Sequence, residues 1–221
     1  MPVVARVAAA DATELHRAIG QLVVGAFFFV MRTCEFSEVS GHRRTRTVTV
    51  GDVEFRRDGR KVESNDEAEM AAADTVSLTF RMQKNGEKVT QHRTVGPAMG
   101  GVLLCPVASL AKLVARVRRY KPGESEWQDR NQRPINLMAT GGCFATVTAG
   151  QILHHLRAVA LEYGEDRLGF PVLKIGTHSL RAGAATAMFL AGVPAETIQL
   201  IGRWRGQTFL RYIRIQVPQL T

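Results

Sequence analysis

Cysteine is scarce in this 221-residue chain, which has only Cys34, Cys105 and Cys143, all far apart in the sequence. An odd number of cysteines at such spacing forms neither a disulfide framework nor a zinc-binding pattern. Long hydrophobic runs are also missing: the apolar stretch Val23–Met31 is too short to span a bilayer and ends at Arg32. No secretory signal is recognisable. The sequence therefore predicts an intracellular protein without a metal site or a membrane partner.

Acidic residues are few relative to basic ones. The chain has 20 Asp and Glu against 29 Lys and Arg, which gives a net charge of +9 and an isoelectric point near 10.1. Such an excess suits a polyanionic partner, because cationic side chains that contact phosphates release condensed counterions. The predominance of arginine favours phosphate recognition, for which the planar guanidinium is well shaped. A merely basic, soluble surface is the alternative.

Apolar residues at helical spacing predict several helices. Asp11 and Glu14 form a capping-box pattern, and a helix that is apolar on most faces is expected from there to about Cys34, in the centre of the fold. In a later amphipathic helix Arg116 is expected to face solvent. The further helices are predicted over Pro106–Tyr120, from Thr148, over Ser179–Leu190 and from Pro194 to Ile201.

Alternating apolar residues predict a small sheet. Extended chain is expected within Arg43–Val62, followed by an acidic surface connection with one helical turn. The runs Val76–Met82 and Val89–Val95 flank Asn85-Gly86, a dipeptide typical of hairpin turns. The sequence therefore predicts a mainly α fold with a small antiparallel β-sheet (α+β), organised as a single domain over residues 1–221.

The last fifty residues contain the parts of a phosphate-handling site. His178 and Arg181 are three apart at a helix start, so they share a face near its anion-favouring end. Guanidinium groups are suited to the charge that develops on a phosphodiester under attack. Tyr212 offers a phenol that becomes nucleophilic in positive surroundings. Lys84, beside the predicted hairpin turn, offers a proton donor for a leaving oxygen.

Five segments together resemble a known enzyme family, the tyrosine recombinases of the lambda-integrase type. The similarity is closest to recombinases of crypton-like mobile elements. It is strongest over Thr177–Thr186, Ile201–Trp204 and Phe209–Arg214. It is weaker over Met31–Glu35, which looks like the family's first catalytic arginine with an acidic partner, and over Phe80–Lys84, which looks like its hairpin lysine.

This resemblance implies a site-specific recombinase or integrase that acts in mobile-element transposition. Tyr212 would attack a phosphate of double-stranded DNA and form a 3′-phosphotyrosyl link. Arg32 and Arg181 would clamp the non-bridging oxygens. Lys84, preferred over the alternative Lys88, would protonate the departing 5′ oxygen. No metal, nucleotide or other cofactor is implied, because the covalent link conserves the bond energy for rejoining. Subunits are expected to associate with one another on paired DNA sites.

The same resemblance assigns roles to neighbouring residues. His178 would assist proton transfer at the nucleophile, and Trp204 would stand where many relatives carry a second histidine. Glu35 would support the first arginine. The spacing from Trp204 to Tyr212 is one residue shorter than in many relatives, while Arg203 has the usual spacing. Either the loop is shorter here, or Arg203 shares the role of Trp204.

Basic residues on either side of these motifs are expected to contact the DNA backbone. The resemblance also implies that this chain is a catalytic domain without the N-terminal core-binding domain that the family usually carries. The protein is expected in the nucleus if its source is a eukaryotic mobile element, and otherwise in the cytoplasm or nucleoid. The predicted DNA contacts are Arg43, Arg44, Arg46, Arg205, Arg211 and Arg214.

Two other functions fit the sequence. The first is a DNA-binding module without catalysis, either a domesticated recombinase or a helix-turn-helix-like unit over residues 179–215, in which Arg203 and Arg205 are ordinary phosphate contacts. The second is a type IB topoisomerase, which shares the chemistry but does not exchange strands between sites. Formation of a covalent protein–DNA adduct separates the first of these from an enzyme.

Overall fold

The structure is a computed structural model that describes residues 2–9, 13–40, 45–82, 88–94, 104–121, 128–141, 143–206, 209–210 and 213. Some of the predicted site residues are therefore not located by it. The predictions that lie outside the described residues are Lys84, Tyr212, Arg43, Arg44, Arg211 and Arg214, together with the Asn85-Gly86 turn.

The predicted α+β class is confirmed in the described part of the chain. The helices are α1 (Pro2–Ala9), α2 (Glu14–Phe28), α3 (Thr33–Phe36), α4 (Glu67–Ala71), α5 (Pro106–Arg119), α6 (Ala149–Tyr163), α7 (Glu165–Leu168), α8 (Ser179–Leu190) and α9 (Ala195–Gly202). The strands are β1 (Val53–Arg57), β2 (Arg60–Lys61), β3 (Thr75–Phe80), β4 (Val89–Thr94), β5 (Leu137–Thr140) and β6 (Cys143–Thr146). None of these helices is long and apolar enough to cross a membrane.

Helix α2 is the central element, as its apolar sequence predicts. Most of its residues from Ala18 to Phe27 are buried, and it packs against α1, α5 and α8. Its N-cap is Thr13, whose hydroxyl accepts the amide of His16, rather than the predicted Asp11. The helix also ends at Phe28, earlier than the predicted Cys34, and the chain begins a separate short helix at Thr33.

The main sheet has four antiparallel strands in the order β2-β1-β3-β4. The predicted hairpin of β3 and β4 is confirmed by the pairing of Phe80 with Val89. In the described part of the stretch predicted as extended, strand β1 begins at Val53, directly after a 3-10 turn. A separate two-stranded sheet, β5-β6, was not predicted.

The prediction that Arg116 of α5 faces solvent is wrong. Instead of facing solvent it is 6% exposed, since α5 packs across α2. Its guanidinium donates to the side chain of Gln21 (2.8 Å), the hydroxyl of Tyr120 (2.7 Å) and the carbonyl of Leu137 (2.8 Å). Burial is tolerated because these acceptors replace water at the charged group.

A small second core holds the C-terminal helices together. Ala185 of α8, Ile198 of α9 and Phe209 are buried against one another, and Trp204 packs on the same cluster. The main core and this cluster share Met188 and Trp204 at their border. The position of Trp204 is therefore fixed by apolar packing from both α8 and the chain after α9.

The turn between β1 and β2 is suited to a stability test. Asp58 and Gly59 both have positive φ, 50° and 73°, as a two-residue hairpin turn requires. An added methyl at Gly59 meets no atom within 4 Å, so Gly59→Ala tests backbone strain alone. We expect it to lower the free energy of unfolding by about 1–2 kcal/mol in urea titration.

Gly150→Ala is the matched control for this substitution. Gly150 lies inside α6, where alanine has the higher helix propensity, so the same change should not destabilise the protein. If Gly59→Ala unfolded at the urea concentration of the wild type, the left-handed turn would not be a strained position.

Candidate active site

The C-terminal end of α2 is surrounded by arginines. Three successive carbonyls there each accept a hydrogen bond from a different guanidinium. A helix C-terminus carries partial negative charge, so cations are stabilised at this place. The pairs are Arg93 Nε to the Phe28 carbonyl (2.7 Å), Arg203 Nη1 to the Phe29 carbonyl (3.3 Å) and Arg181 Nη1 to the Val30 carbonyl (2.5 Å).

Val30 turns the chain out of α2 in a strained conformation. Its φ of 50° is left-handed, which is unfavourable for a β-branched residue by roughly 1–2 kcal/mol. The amide of Met31 then donates back to the carbonyl of Ala26 (2.9 Å). This turn places the Val30 carbonyl on Arg181 and lets Arg32 begin the next helix. The strain thus lies at the junction that carries the first candidate catalytic residue.

Arg32 and Glu35 form a closed unit at the start of α3. The Glu35 carboxylate accepts the backbone amide of Arg32 (2.7 Å) on Oε2 and its Nη1 (2.9 Å) on Oε1. The Arg32 side chain is 22% exposed, whereas that of Glu35 is 1% exposed. Glu35 is therefore a buried anchor, and Arg32 is the member of the pair that reaches toward the surface.

Arg203 lies in the interior of the protein. In the sequence alone, it could equally be a surface residue that contacts a phosphate. It is 8% exposed and donates to Glu35 Oε2 (2.6 Å) and to the side-chain oxygen of Gln91 (3.2 Å). Its guanidinium also stacks on the ring of Phe80, 3.6 Å from the centroid. Burial lowers the pKa of Arg203 to about 10, so the group stays protonated at neutral pH.

A second set of three carbonyls lies at the C-terminal end of α9. Each of them accepts a hydrogen bond from a side chain of the site. Two of the three donors are the candidate clamp arginines. The pairs are Gln91 Nε2 to the Ile201 carbonyl (2.6 Å), Arg181 Nη2 to the Gly202 carbonyl by a short hydrogen bond, and Arg32 Nη2 to the Arg203 carbonyl (3.3 Å).

Trp204 stacks on Arg181. The guanidinium carbon of Arg181 is 4.3 Å from the centroid of the Trp204 ring, which is within the range of a cation–π interaction. Trp204 also packs near Phe209, with ring centroids 6.1 Å apart. The ring lies against the backbone of Gly202, where an added Cβ would be 1.6 Å from a ring carbon. Glycine at position 202 is therefore required for Trp204 to reach Arg181.

His178 stands at the N-cap of α8, one helical turn before Arg181. Its side chain is exposed, and the preceding residue is tied to α3, because Thr33 Oγ1 donates to the Thr177 carbonyl (3.0 Å). The start of α8 and the start of α3 are thus held side by side. His178 therefore directly follows a residue that is bonded to the first residue of α3.

The structure brings together Arg32, Glu35, Arg181, Arg203 and Trp204, whereas His178 stays exposed at the start of α8. Two predicted DNA contacts, Arg46 and Arg205, are exposed. Arg46 donates to the side chain of Gln132 (2.9 Å).

Sequence reasoning missed Gln91 and Arg93. Both lie on β4, opposite Leu78 and Val76 of β3, on the side of the strand where alternation calls for apolar residues. That interruption of the apolar alternation is the signal that could have found them. Burial lowers the pKa of Arg93 to about 10. Both residues join the hairpin to the arginine cluster.

Gly202→Ala tests the stacking of Trp204 on Arg181. We expect the methyl group to displace the indole and to lower the free energy of unfolding by about 1–3 kcal/mol, the usual effect of overpacking. The chain has two tryptophans, so a Trp127→Phe background leaves Trp204 as the only indole. Its fluorescence maximum should shift in the folded protein, and urea titration should give the stability.

Gly176→Ala is the control for this experiment, because its added methyl meets no atom within 4 Å. It should leave the emission of Trp204 and the unfolding midpoint close to those of the parent. Equal behaviour of the two variants would contradict the close contact between Gly202 and Trp204.

Comparison with known proteins finds a likeness among solved structures. No protein-family profile and no curated sequence matches the chain. Among solved structures, the fold is similar to a chain of the Flpe–Holliday junction complex, with a TM-score of 0.52 and 10% sequence identity. The match covers 93% of this chain and 43% of that one, so the chain spans less than half the length of its structural neighbour. At this identity the likeness concerns the fold alone, which is similar to that of the matched part of that chain.

Proposed function

We propose that this chain is the catalytic domain of a site-specific DNA recombinase that breaks and rejoins strands through Tyr212. The observation that carries the proposal is the convergence of Arg32 and Arg181 on one pair of adjacent carbonyls, Gly202 and Arg203, with Trp204 stacked on Arg181. Two guanidiniums held at a fixed separation suit the two non-bridging oxygens of a phosphodiester. The recombinase-like fold supports the same conclusion.

The proposed reaction is a direct exchange at phosphorus. The phenolic oxygen of Tyr212 forms a bond to the scissile phosphorus and its proton passes to His178. The bond from phosphorus to the 5′ oxygen breaks, and Lys84 supplies the proton that yields a free 5′ hydroxyl. Rejoining is the reverse, with the 5′ hydroxyl of a partner strand as nucleophile. General acid–base groups contribute typically about 10²–10⁴-fold to such steps.

Double-stranded DNA is the proposed partner. Beside the hairpin lies an open polar cleft of about 550 Å³. Arg81, which directly follows Phe80 in the chain, lines this cleft. We propose that flanking phosphates of the duplex lie along it and that subunits associate on paired sites. Four basic residues line the cleft: Arg46, Lys61, Arg81 and Arg118.

The motifs that resemble crypton-like recombinases extend the proposal to mobile-element transposition. On that reading the protein acts in the nucleus of a eukaryotic host, and otherwise in the cytoplasm or nucleoid. Terminal repeats in the DNA that flanks the coding sequence would support a mobile element. Flanking DNA without repeats would restrict the proposal to a recombinase of another kind.

A suicide substrate tests the reaction. The chain should form a covalent adduct with a nicked duplex that carries its own flanking DNA, because the cleaved fragment diffuses away and prevents rejoining. Tyr212→Phe should form none, since it lacks the nucleophile. Tyr163→Phe, at the end of α6, is the matched control and should cleave as the wild type does.

The other functions are distinct outcomes of that assay. If no adduct forms on any nicked duplex, the proposal of an enzyme gives way to that of a DNA-binding module. Relaxation of supercoiled plasmid without a specific site would favour a type IB topoisomerase.

The clamp is tested by a pair of arginine substitutions. Arg181→Ala should reduce the cleavage rate at saturating DNA by about 10²–10³-fold, because a preorganised donor is lost. Much of the DNA affinity should remain. Arg205→Ala should do the reverse: it should weaken DNA binding and reduce the salt dependence of the affinity, with little effect on cleavage at saturation.

Single-turnover gels and filter binding measure both quantities for each variant. Arg32→Ala provides a second clamp variant, since the Arg32 side chain is more exposed than Arg181 and its loss disturbs less of the core. Parallel loss of binding and cleavage in the clamp variants would mean that these arginines only anchor DNA.

A further inference from the structure

We propose that Arg203 is a positioning residue that sets the distance between the two clamp arginines. This inference rests on the proposed recombinase function. Arg203 does not touch the DNA in this proposal, because its side chain is 4% exposed. It acts on Arg32 through its side chain, and on both Arg32 and Arg181 through its backbone.

The side-chain route runs through Glu35. Arg203 Nη2 holds Oε2 of Glu35 at 2.6 Å, which fixes the plane of the carboxylate and leaves Oε1 for Arg32 Nη1 at 2.9 Å. A long arginine side chain loses rotamer freedom when it is ordered, so a rigid acceptor is needed to hold it. Hydrogen bonds from Arg203 to Gln91 and Phe29 keep the guanidinium itself from moving.

The backbone route depends on the left-handed conformation of Arg203. It caps α9 with φ 55° and ψ 42°. In a continuing helix, successive carbonyls point in nearly the same direction. The left-handed residue turns its own carbonyl away from that of Gly202, so that Gly202 receives Arg181 and Arg203 receives Arg32 (3.3 Å). Both clamp guanidiniums therefore donate to adjacent carbonyls of one chain segment, and this segment sets their relative positions.

Arginine is an unfavourable residue for this cap. Helices usually end with glycine in the left-handed position, because other residues are strained there. Arg203 adds a buried charge, and its Nε has no hydrogen-bond acceptor among the residues described. Such local costs are typical of positions that serve a site rather than the stability of the fold. The guanidinium of Arg203 forms the hydrogen bond that orients Glu35 toward Arg32.

Three substitutions separate the two routes. Arg203→Gly keeps the left-handed backbone and removes only the side-chain route. Arg203→Ala removes the side chain and leaves a strained, non-glycine residue at the cap without the hydrogen bonds that hold it there. Arg203→Lys keeps a charge near Glu35 but cannot hold Glu35, Gln91 and Phe29 at once. Because misplacement of a catalytic group by about 1 Å costs up to 10²-fold, Arg203→Gly should slow cleavage roughly 10–100-fold.

The expected pattern is specific to positioning. Cleavage at saturating DNA should decrease in the order wild type, Arg203→Lys, Arg203→Gly, Arg203→Ala, while the Kd for intact duplex stays at the wild-type value. On a substrate with a methylphosphonate at the scissile position, the deficit of Arg203→Gly relative to wild type should shrink. One charged oxygen is absent there, so the clamp has less charge to stabilise. A folding defect would reduce cleavage of both substrates alike.

A double-mutant cycle tests the link through Glu35. If Arg203 acts through that carboxylate, Glu35→Gln and Arg203→Gly should not be additive, and the double variant should cleave nearly as fast as the slower single variant. Additive losses, equal deficits on the two substrates, or wild-type cleavage by Arg203→Gly would each overturn the inference while leaving the recombinase proposal intact. A wild-type chain that forms no adduct would overturn both.

Discussion

Two helix ends of like partial charge face each other in this protein, and arginine side chains between them make the approach possible. Arg181 donates to Val30 at the end of α2 and to Gly202 at the end of α9. Carbonyl ends of helices repel one another, so the cations hold the C-terminal helices on the central one. Arg32, Arg93 and Arg203 lie nearby, and Glu35 is the carboxylate partner of Arg32 and Arg203, so the cluster keeps an excess of positive charge.

Local pattern was enough to predict the helices α5, α6 and α8 and the hairpin of β3 and β4, because their apolar periodicity is complete within each segment. The end of α2 was predicted wrongly for a tertiary reason. Val30 adopts its left-handed turn where its carbonyl meets Arg181, 151 positions away. Arg116 was misplaced for a similar reason, since its acceptors include Gln21 of another helix. Periodicity carries no information about such partners.

The candidate site divides in the same way. Its late motifs follow one another closely in the sequence, so His178, Arg181 and Trp204 could be named without a structure. The interior position of Arg203 could not, because a lone arginine beside a glycine fits a surface phosphate contact equally well. Only the tertiary fold brings Glu35 and Gln91 around it. The polar residues on the apolar side of β4 were the one early sign that a buried network exists.

Gln91 connects the main sheet to the C-terminal helices. Its side-chain amide donates to the Ile201 carbonyl (2.6 Å), and its side-chain oxygen accepts from Arg203 (3.2 Å). These two hydrogen bonds attach β4 to the end of α9. The hairpin that contains Lys84 leads into β4, and the segment that contains Tyr212 follows α9 in the chain. A shift of β4 would therefore move the end of α9 with it. The sheet and the C-terminal helices would then move as one unit around the arginine cluster.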